Sequence, residues 1–169
     1  MMKPIIETKR LRLREFTLED TQFIMALLNS PGWIEFIGER NVKTKQDAVN
    51  YLQNGPMKIY ENHGFGLWMV ELKDGKTPVG MCGILKRDTL EFPDIGFCFL
   101  PEFSGKGYAY ESAMATMTVA QETYNVDNLC AITLAHNSPS IKLLEKLGFR
   151  FVSPIQFPDD GEVLMLYQN

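Results

Sequence analysis

Ser104-Gly105-Lys106-Gly107-Tyr108-Ala109 lies directly between a run that reads as a buried strand, Asp94 to Leu100, and a run that reads as a helix. Glycines at such a junction let the backbone approach a ligand closely, and the unpaired N–H groups of the helix start favour an anion. A pyrophosphate is the natural occupant. Lys106 either adds a positive charge there or stands solvated. Two other phosphate-binding patterns fail on inspection. No Gly-x-x-x-x-Gly-Lys-Ser/Thr run exists in the chain. A dinucleotide fingerprint needs an acid that ends the next strand, and Asp127 precedes its strand instead.

Upstream, Arg10-Leu11-Arg12-Leu13-Arg14-Glu15-Phe16 alternates polar with apolar, the period of a half-buried strand. Thr17-Leu18-Glu19-Asp20 starts a helix that continues through Phe23, Ala26 and Leu27 and breaks at Asn29-Ser30-Pro31-Gly32. Trp33, Phe36 and Ile37 read as irregular. A second helix begins at Thr44, carries Ala48, Tyr51 and Leu52, and is interrupted by Gly55-Pro56. Leu67 to Leu72 and Val79 to Leu85 form a hairpin around Lys73-Asp74-Gly75-Lys76. Asp94 to Leu100, nearly all apolar, reads as a strand buried on both faces.

Downstream of the glycine loop, Ala109, Ala113, Met117 and Ala120 make a helical apolar face. Leu129 to Leu134 is a further buried strand. The next helix takes Ser138 as its cap, Pro139 in its first turn and Gly148 at its end. Phe149 to Val152 and Val163 to Tyr167 complete a sheet. The order is one strand, two helices, three strands, helix, strand, helix, two strands, in a single α/β domain over residues 1–169.

Composition narrows the class. The 169 residues are 45% hydrophobic and 22% charged, the profile of an ordinary globular domain. A net charge of −4 gives no electrostatic reason for a nucleic-acid partner. Cys82, Cys98 and Cys130 each sit inside apolar runs without C-x-x-C spacing, as reduced core residues do. The two histidines, His63 and His136, are too far apart in sequence to suggest a metal site, so no metal is expected. The first residues carry no signal-peptide pattern and no apolar run is long enough for a membrane span, which points to the cytoplasm with no membrane partner.

Phe103-Ser104-Gly105-Lys106-Gly107-Tyr108-Ala109-Tyr110-Glu111 resembles the pyrophosphate loop of the GNAT acyltransferase superfamily. Asp94 to Pro101 is similar to that superfamily's preceding strand, and Asn137 to Phe149 to its helix-to-strand signature. Thr8-Lys9-Arg10-Leu11-Arg12-Leu13-Arg14 and Gly64-Phe65-Gly66-Leu67-Trp68 resemble the branch that acetylates ribosomal-protein N-termini. These matches stand in the family's order over essentially the whole chain.

The resemblance implies a central, mostly antiparallel twisted sheet flanked by helices, and an enzyme that moves acetyl from acetyl-CoA to a primary amine without a metal. It implies that residues 104–110 (Ser104, Gly105, Lys106, Gly107, Tyr108, Ala109, Tyr110) hold the pyrophosphate. Phe97-Cys98-Phe99 would pair with pantetheine amides, Asn137 would hydrogen-bond that arm, and Lys142 would reach the nucleotide phosphates. Each also has a plainer reading, as strand, turn or surface residue.

The chain departs from the family pattern at two positions. Ser104 stands where Gln or Arg often opens the loop. Leu144 stands where many relatives carry the tyrosine that protonates departing CoA thiolate, and Ser140 is the substitute proposed in the ribosomal-protein branch. Asp94 matches a position often filled by Glu and is the first candidate for a base, with Glu91 second. The acceptor is expected to be the α-amino group of a peptide or protein, with a wall built from Trp33 to Arg40 and the helix around Tyr51. A polyamine or antibiotic acceptor, or a fold that binds acyl-CoA without catalysis, are the alternatives. The expected assembly is a monomer or a homodimer.

Overall fold

A computed structural model describes residues 4–159 and 161–169. Its eight strands are β1 (Ile6–Glu7), β2 (Leu11–Arg14), β3 (Leu67–Leu72), β4 (Pro78–Leu85), β5 (Asp94–Phe99), β6 (Cys130–Thr133), β7 (Arg150–Gln156) and β8 (Val163–Gln168). They form one sheet in the order β1-β2-β3-β4-β5-β6-β8-β7. Every neighbouring pair is antiparallel except β5 with β6. The helices are α1 (Thr21–Leu28), α2 (Pro31–Phe36), α3 (Lys45–Leu52), α4 (Lys58–His63), α5 (Tyr108–Tyr124) and α6 (Ser138–Lys146).

The period of two along the central strands divides the core into two layers. Trp68 and Val70 of β3, with Cys82 and Ile84 of β4, face α5 and α6 together with Ala113, Ala120 and Leu144. Met69 and Met81 face the other way, against Ile24, Leu27, Trp33, Ala48 and Leu52 of α1 to α3. Strand β5 obeys the same alternation, sending Phe97 and Phe99 to the first layer and Cys98 to the second.

Local chemistry sets the ends of these elements. Thr17 and Asp20 form a capping box on a short 3-10 turn that runs into α1, and Thr44 with Asp47 forms another at α3. Asp20 is buried and accepts two hydrogen bonds at 2.9 Å from the guanidinium of Arg14, which also reaches Glu71 on β3. This fork-to-carboxylate geometry ties β2, β3 and the start of α1 together. Tyr60 on α4 donates its hydroxyl hydrogen to the Leu67 carbonyl and accepts from the Phe16 N–H at 3.2 Å. At the far end of α5, Tyr124 stacks 6.3 Å from Trp68 and meets Phe65 edge-on at 5.3 Å.

The expected order of elements holds, with several corrections. Ile6 and Glu7 pair with Leu13 and Arg12 as an extra edge strand too short to show a period. Trp33 and Phe36 lie on a helix, α2, which Pro31 enters in its first turn. Gly55-Pro56 does not interrupt the second helix. A wide π turn over Gln53–Met57 carries the chain into α4, which absorbs the N–H that proline lacks. The buried face of α1 is Phe23, Ile24, Leu27 and Leu28, while Ala26 is exposed. On α5 the fully buried positions are Ser112, Ala113, Thr116 and Ala120, with Ala109 and Met117 at the margin. Asn137, not Ser138, caps α6. Only the first two residues of β5 are fully buried, because its outer edge opens beyond them.

Among the glycines of the sheet, the tightest approach is at Gly83 of β4. A Cβ there would lie 2.0 Å from the Gly66 carbonyl oxygen and 2.8 Å from the Leu67 Cα, both main-chain atoms. Gly83→Ala is therefore expected to lower unfolding free energy by about 2–3 kcal/mol by forcing β3 and β4 apart. Urea unfolding checks this: the midpoint should fall with the slope unchanged, whereas a wild-type midpoint would mean that the strands separate without cost.

Candidate active site

Strands β5 and β6 run parallel and pair at Asp94↔Cys130 alone, with the Cys130 N–H on the Pro93 carbonyl at 2.8 Å. Beyond that point they diverge into a fork. On the other side, Leu100 N–H bonds the Val79 carbonyl at 2.9 Å. Strand alternation therefore turns the even-numbered peptide groups of β5 toward β4 and the odd-numbered ones toward the fork. Phe97 and Phe99 aim their N–H and C=O groups into the gap, and Cys98 contributes its side chain to the α2–α3 face. Backbone groups left facing a gap need a ligand or water.

Helix starts flank the open end. The chain leaves β5 through a 3-10 turn at Pro101–Phe103, crosses Ser104 to Gly107, and enters α5. Gly105 and Gly107 hold φ of +75° and +82°, a region that side-chain-bearing residues avoid. Ser104, Gly105, Lys106 and Gly107 are all exposed, and Tyr108, Ala109 and Tyr110 are partly so. Gly107 provides no side-chain cap, so the first N–H groups of a 17-residue helix remain available to an anion. Lys106 lies 5.7 Å from the Phe103 ring, and Lys146 from α6 lies 4.1 Å from the Tyr110 ring. The latter contact brings α6 against the start of α5.

The second arm carries Asn137 and Ser140. The Asn137 Oδ1 accepts the Ser140 N–H at 3.3 Å, so its carbonyl is engaged in capping. Ser140 is half-buried in the first turn of α6, while Lys142 is exposed on its outer face. Leu144 is 1% exposed and packs into the α5–α6 layer. Phe36 of α2 meets the His136 ring at 5.5 Å, joining the α2 wall to this arm across the fork.

At the closed end, Asp94 is 2% exposed and accepts a hydrogen bond from Arg87 Nε at 2.9 Å. Burial raises its carboxyl pKa, and the charge and hydrogen bond of Arg87 offset part of that rise. The side chain shares a sheet face with Cys98, two strand repeats away. Burial also pushes the Cys98 thiol up to about 12, and it raises the Tyr51 phenol on the same face. Beside this closed end a cavity of about 450 Å³ is lined by Leu90, Glu91, Cys130, Ile155, Phe157 and Leu166, among others.

The structure thus gathers Phe97, Phe99, residues 104–110, Asn137 and Ser140 around one fork, with Asp94 at its base. Lys142 is exposed on α6. Sequence reasoning gave no role to Thr8, Arg10 or Glu111, although all three bond beside the glycine loop. Such a long-range contact leaves no periodic signal in one sequence. Among the described residues, no group of three or more His, Cys, Asp or Glu side chains is placed to hold a metal ion, and no helix is long and apolar enough to cross a membrane.

The arrangement fits coenzyme A on structural grounds: an uncapped helix start for the pyrophosphate, and a free strand edge of matching polarity for the amides of its arm. Comparisons with known proteins agree. The acetyltransferase (GNAT) domain family matches residues 10–150. The chain is 27% identical over 150 residues to the uncharacterized N-acetyltransferase YoaA of Bacillus subtilis, covering 88% of this chain and 84% of that one. Two solved structures share the fold. RimL, a ribosomal L7/L12 alpha-N-protein acetyltransferase, superposes with a TM-score of 0.83 at 12% identity, covering 100% of this chain and 94% of RimL. The microcin C7 self-immunity acetyltransferase MccE, solved with acetyl-CoA and AMP, gives 0.79 at 13% identity over 96% of this chain and 93% of its own. The chain belongs to the GNAT acetyltransferase family and is an acetyl-CoA-dependent N-acetyltransferase.

Proposed function

We propose that this enzyme acetylates the N-terminal α-amino group of a peptide or protein, by direct attack of the amine on the thioester in a ternary complex. Acetyl-CoA supplies the activated acyl group. The observation that carries the direct route is the state of Cys98 on β5, whose side chain packs on the α2–α3 face where the acceptor is proposed to enter. A thiol pushed up to about 12 stays protonated at neutral pH and makes a poor nucleophile, which disfavours an acyl-cysteine intermediate.

The chain's own groups then have limited tasks. The N–H groups at the α5 start and in the glycine loop hold the pyrophosphate, and Phe97 and Phe99 align the pantetheine arm and polarise the thioester carbonyl. Asn137 assists that arm through its free amide hydrogens, and Lys142 acts only on the outer nucleotide phosphates. Positioning of the two substrates contributes most of the acceleration. Ser140, at the first turn of α6, donates a proton toward the departing sulfur. Asp94, directly or through water, accepts the proton that the amine loses.

The α-amine preference rests on chemistry. An α-amino group has a pKa of about 8 and is partly neutral at physiological pH, whereas a lysine side chain at about 10.4 is not. A carboxylate suffices as base for the first and serves the second poorly. Likeness to RimL supports the same class of acceptor at the level of fold. Trp33 to Arg40 and the helix bearing Tyr51 form the acceptor wall on this reading, with Glu35 and Glu39 attracting a cationic substrate.

Four outcomes follow. Gly107→Val forces a β-branched residue into a left-handed conformation and sets its Cβ 3.2 Å from Arg10, so CoA binding measured by calorimetry is expected to be lost while the far-UV spectrum stays native. Unchanged affinity would place the cofactor elsewhere. Ser140→Ala is expected to lower turnover by about 10- to 100-fold with little change in CoA affinity. Because the Asp94 pKa is raised and the base must be ionised, the acidic limb of turnover should lie above the ordinary Asp range, with rate falling as pH drops through it. Asp94→Asn should erase that limb. An unaltered profile in that variant would remove Asp94 from the mechanism. Finally, peptides with free and blocked amino termini, each with one internal lysine, are expected to differ by mass spectrometry: the free terminus is modified and the blocked peptide is not. Comparable modification of the blocked peptide would favour a side-chain or small-amine acceptor.

A further inference from the structure

The glycine loop has almost nothing of its own to hold it. Ser104, Gly105, Lys106 and Gly107 are all exposed, no atom lies within 4 Å of a Cβ built on Gly105, and both glycines occupy left-handed conformations. Left alone, such a segment samples many backbone states, and a ligand that needs one of them binds more weakly in proportion to the others.

One side chain reaches in from outside. Arg10, in the turn between β1 and β2, donates from Nη1 to the Lys106 carbonyl at 2.9 Å, lies 4.6 Å from the Tyr108 ring, and brings Nη2 beside Gly107. Its direction is fixed in turn by Glu111 on the first turn of α5. Glu111 Oε2 accepts from Arg10 Nε at 2.6 Å, and Oε1 accepts both the Arg10 main-chain N–H at 2.9 Å and the Thr8 hydroxyl at 2.6 Å. Thr8 Oγ1 also accepts the Leu11 N–H at 3.0 Å, which anchors the turn to β2.

The charges solve a second problem. A carboxylate in the first turn of a helix competes with any anion for the positive end of the dipole. Here both Glu111 oxygens face sideways into the β1–β2 turn, and the Arg10 guanidinium neutralises them. Partial burial raises the Glu111 pKa, but the hydrogen bonds from Thr8 and Arg10 outweigh it and keep the group ionised. The N–H groups of the α5 start are left to a ligand.

We propose that Arg10 and Glu111, with Thr8, are positioning residues that brace the Gly105–Tyr108 turn in the conformation that receives the CoA pyrophosphate. The proposal deepens the cofactor assignment above and rests on it. Neither side chain is required to touch the cofactor. The contact spans residues 101 positions apart, so it makes the edge of the sheet next to β2 part of the cofactor site.

The test combines two measurements on Arg10→Ala, Glu111→Ala, the double variant and Arg10→Lys. Amide hydrogen exchange without ligand reads the brace itself. Exchange at residues 105–108 is expected to accelerate about tenfold or more in each alanine variant, while β3 and β4 keep wild-type protection. Calorimetry with CoA is expected to show affinity about tenfold weaker in each single variant and no further loss in the double, because the pair acts as one unit. Arg10→Lys keeps the charge but loses the fork, and should fall between wild type and Arg10→Ala. Wild-type exchange at 105–108 together with CoA affinity within about twofold of wild type would overturn the brace, as would additive losses in the double variant. If wild type itself bound no CoA, the cofactor assignment would fail, and the exchange rates alone would still decide whether the brace exists.

Discussion

A single parallel contact governs this molecule. β5 and β6 meet at Asp94↔Cys130 and nowhere else, although both belong to one continuous sheet. Parallel strands require a long crossover, and here that crossover contains α5, which packs on the face of β4 and β5. The helix begins at the top of β5 and α6 begins at the top of β6. The same divergence that frees the edge of β5 therefore sets two helix starts on either side of the opening. An uncapped helix start, a free strand edge and a short first-turn hydroxyl are consequences of one geometric fact.

The opening is stable because the two halves of the sheet are held independently. On one side, β2, β3 and β4 are tied by the Arg14–Asp20–Glu71 cluster and by close main-chain packing at Gly83. On the other, β6, β8 and β7 form an antiparallel set closed by Tyr167 against Phe151. Neither half needs the missing β5–β6 bonds. Phe36 on His136 spans the gap on the α2 side, where the acceptor is proposed to enter.

Much of this architecture is written in local chemistry. The glycine loop, the capping boxes at Thr17 and Thr44 and the stop at Gly148 are all carried by residues within four positions of one another, so a single sequence suffices to read them. The errors fall where long-range forces decide. Ile6 and Glu7 become a strand only because β2 offers an edge. Pro56 reads as a break, yet a π turn over Gln53–Met57 accommodates it and joins α3 to α4. Asn137 takes the capping role from Ser138 because the backbone turns one residue earlier than the Pro139 signal implies. The site divides the same way. Residues 104–110 and Asn137 are legible as motif, whereas the tie from Arg10 to Glu111 joins charges of two separate motifs and leaves no local sign of their contact.

The central claim is that the fork and the loop together receive one cofactor. Backbone amide NMR during titration with CoA tests it most directly. The account predicts that the largest shift changes fall on Phe97 and Phe99, whose N–H groups face the gap, and on residues 105–110, with Cys98 less affected because its N–H bonds to β4. Changes concentrated instead around Leu90, Ile155 and Leu166, at the cavity beside the closed end, would contradict it.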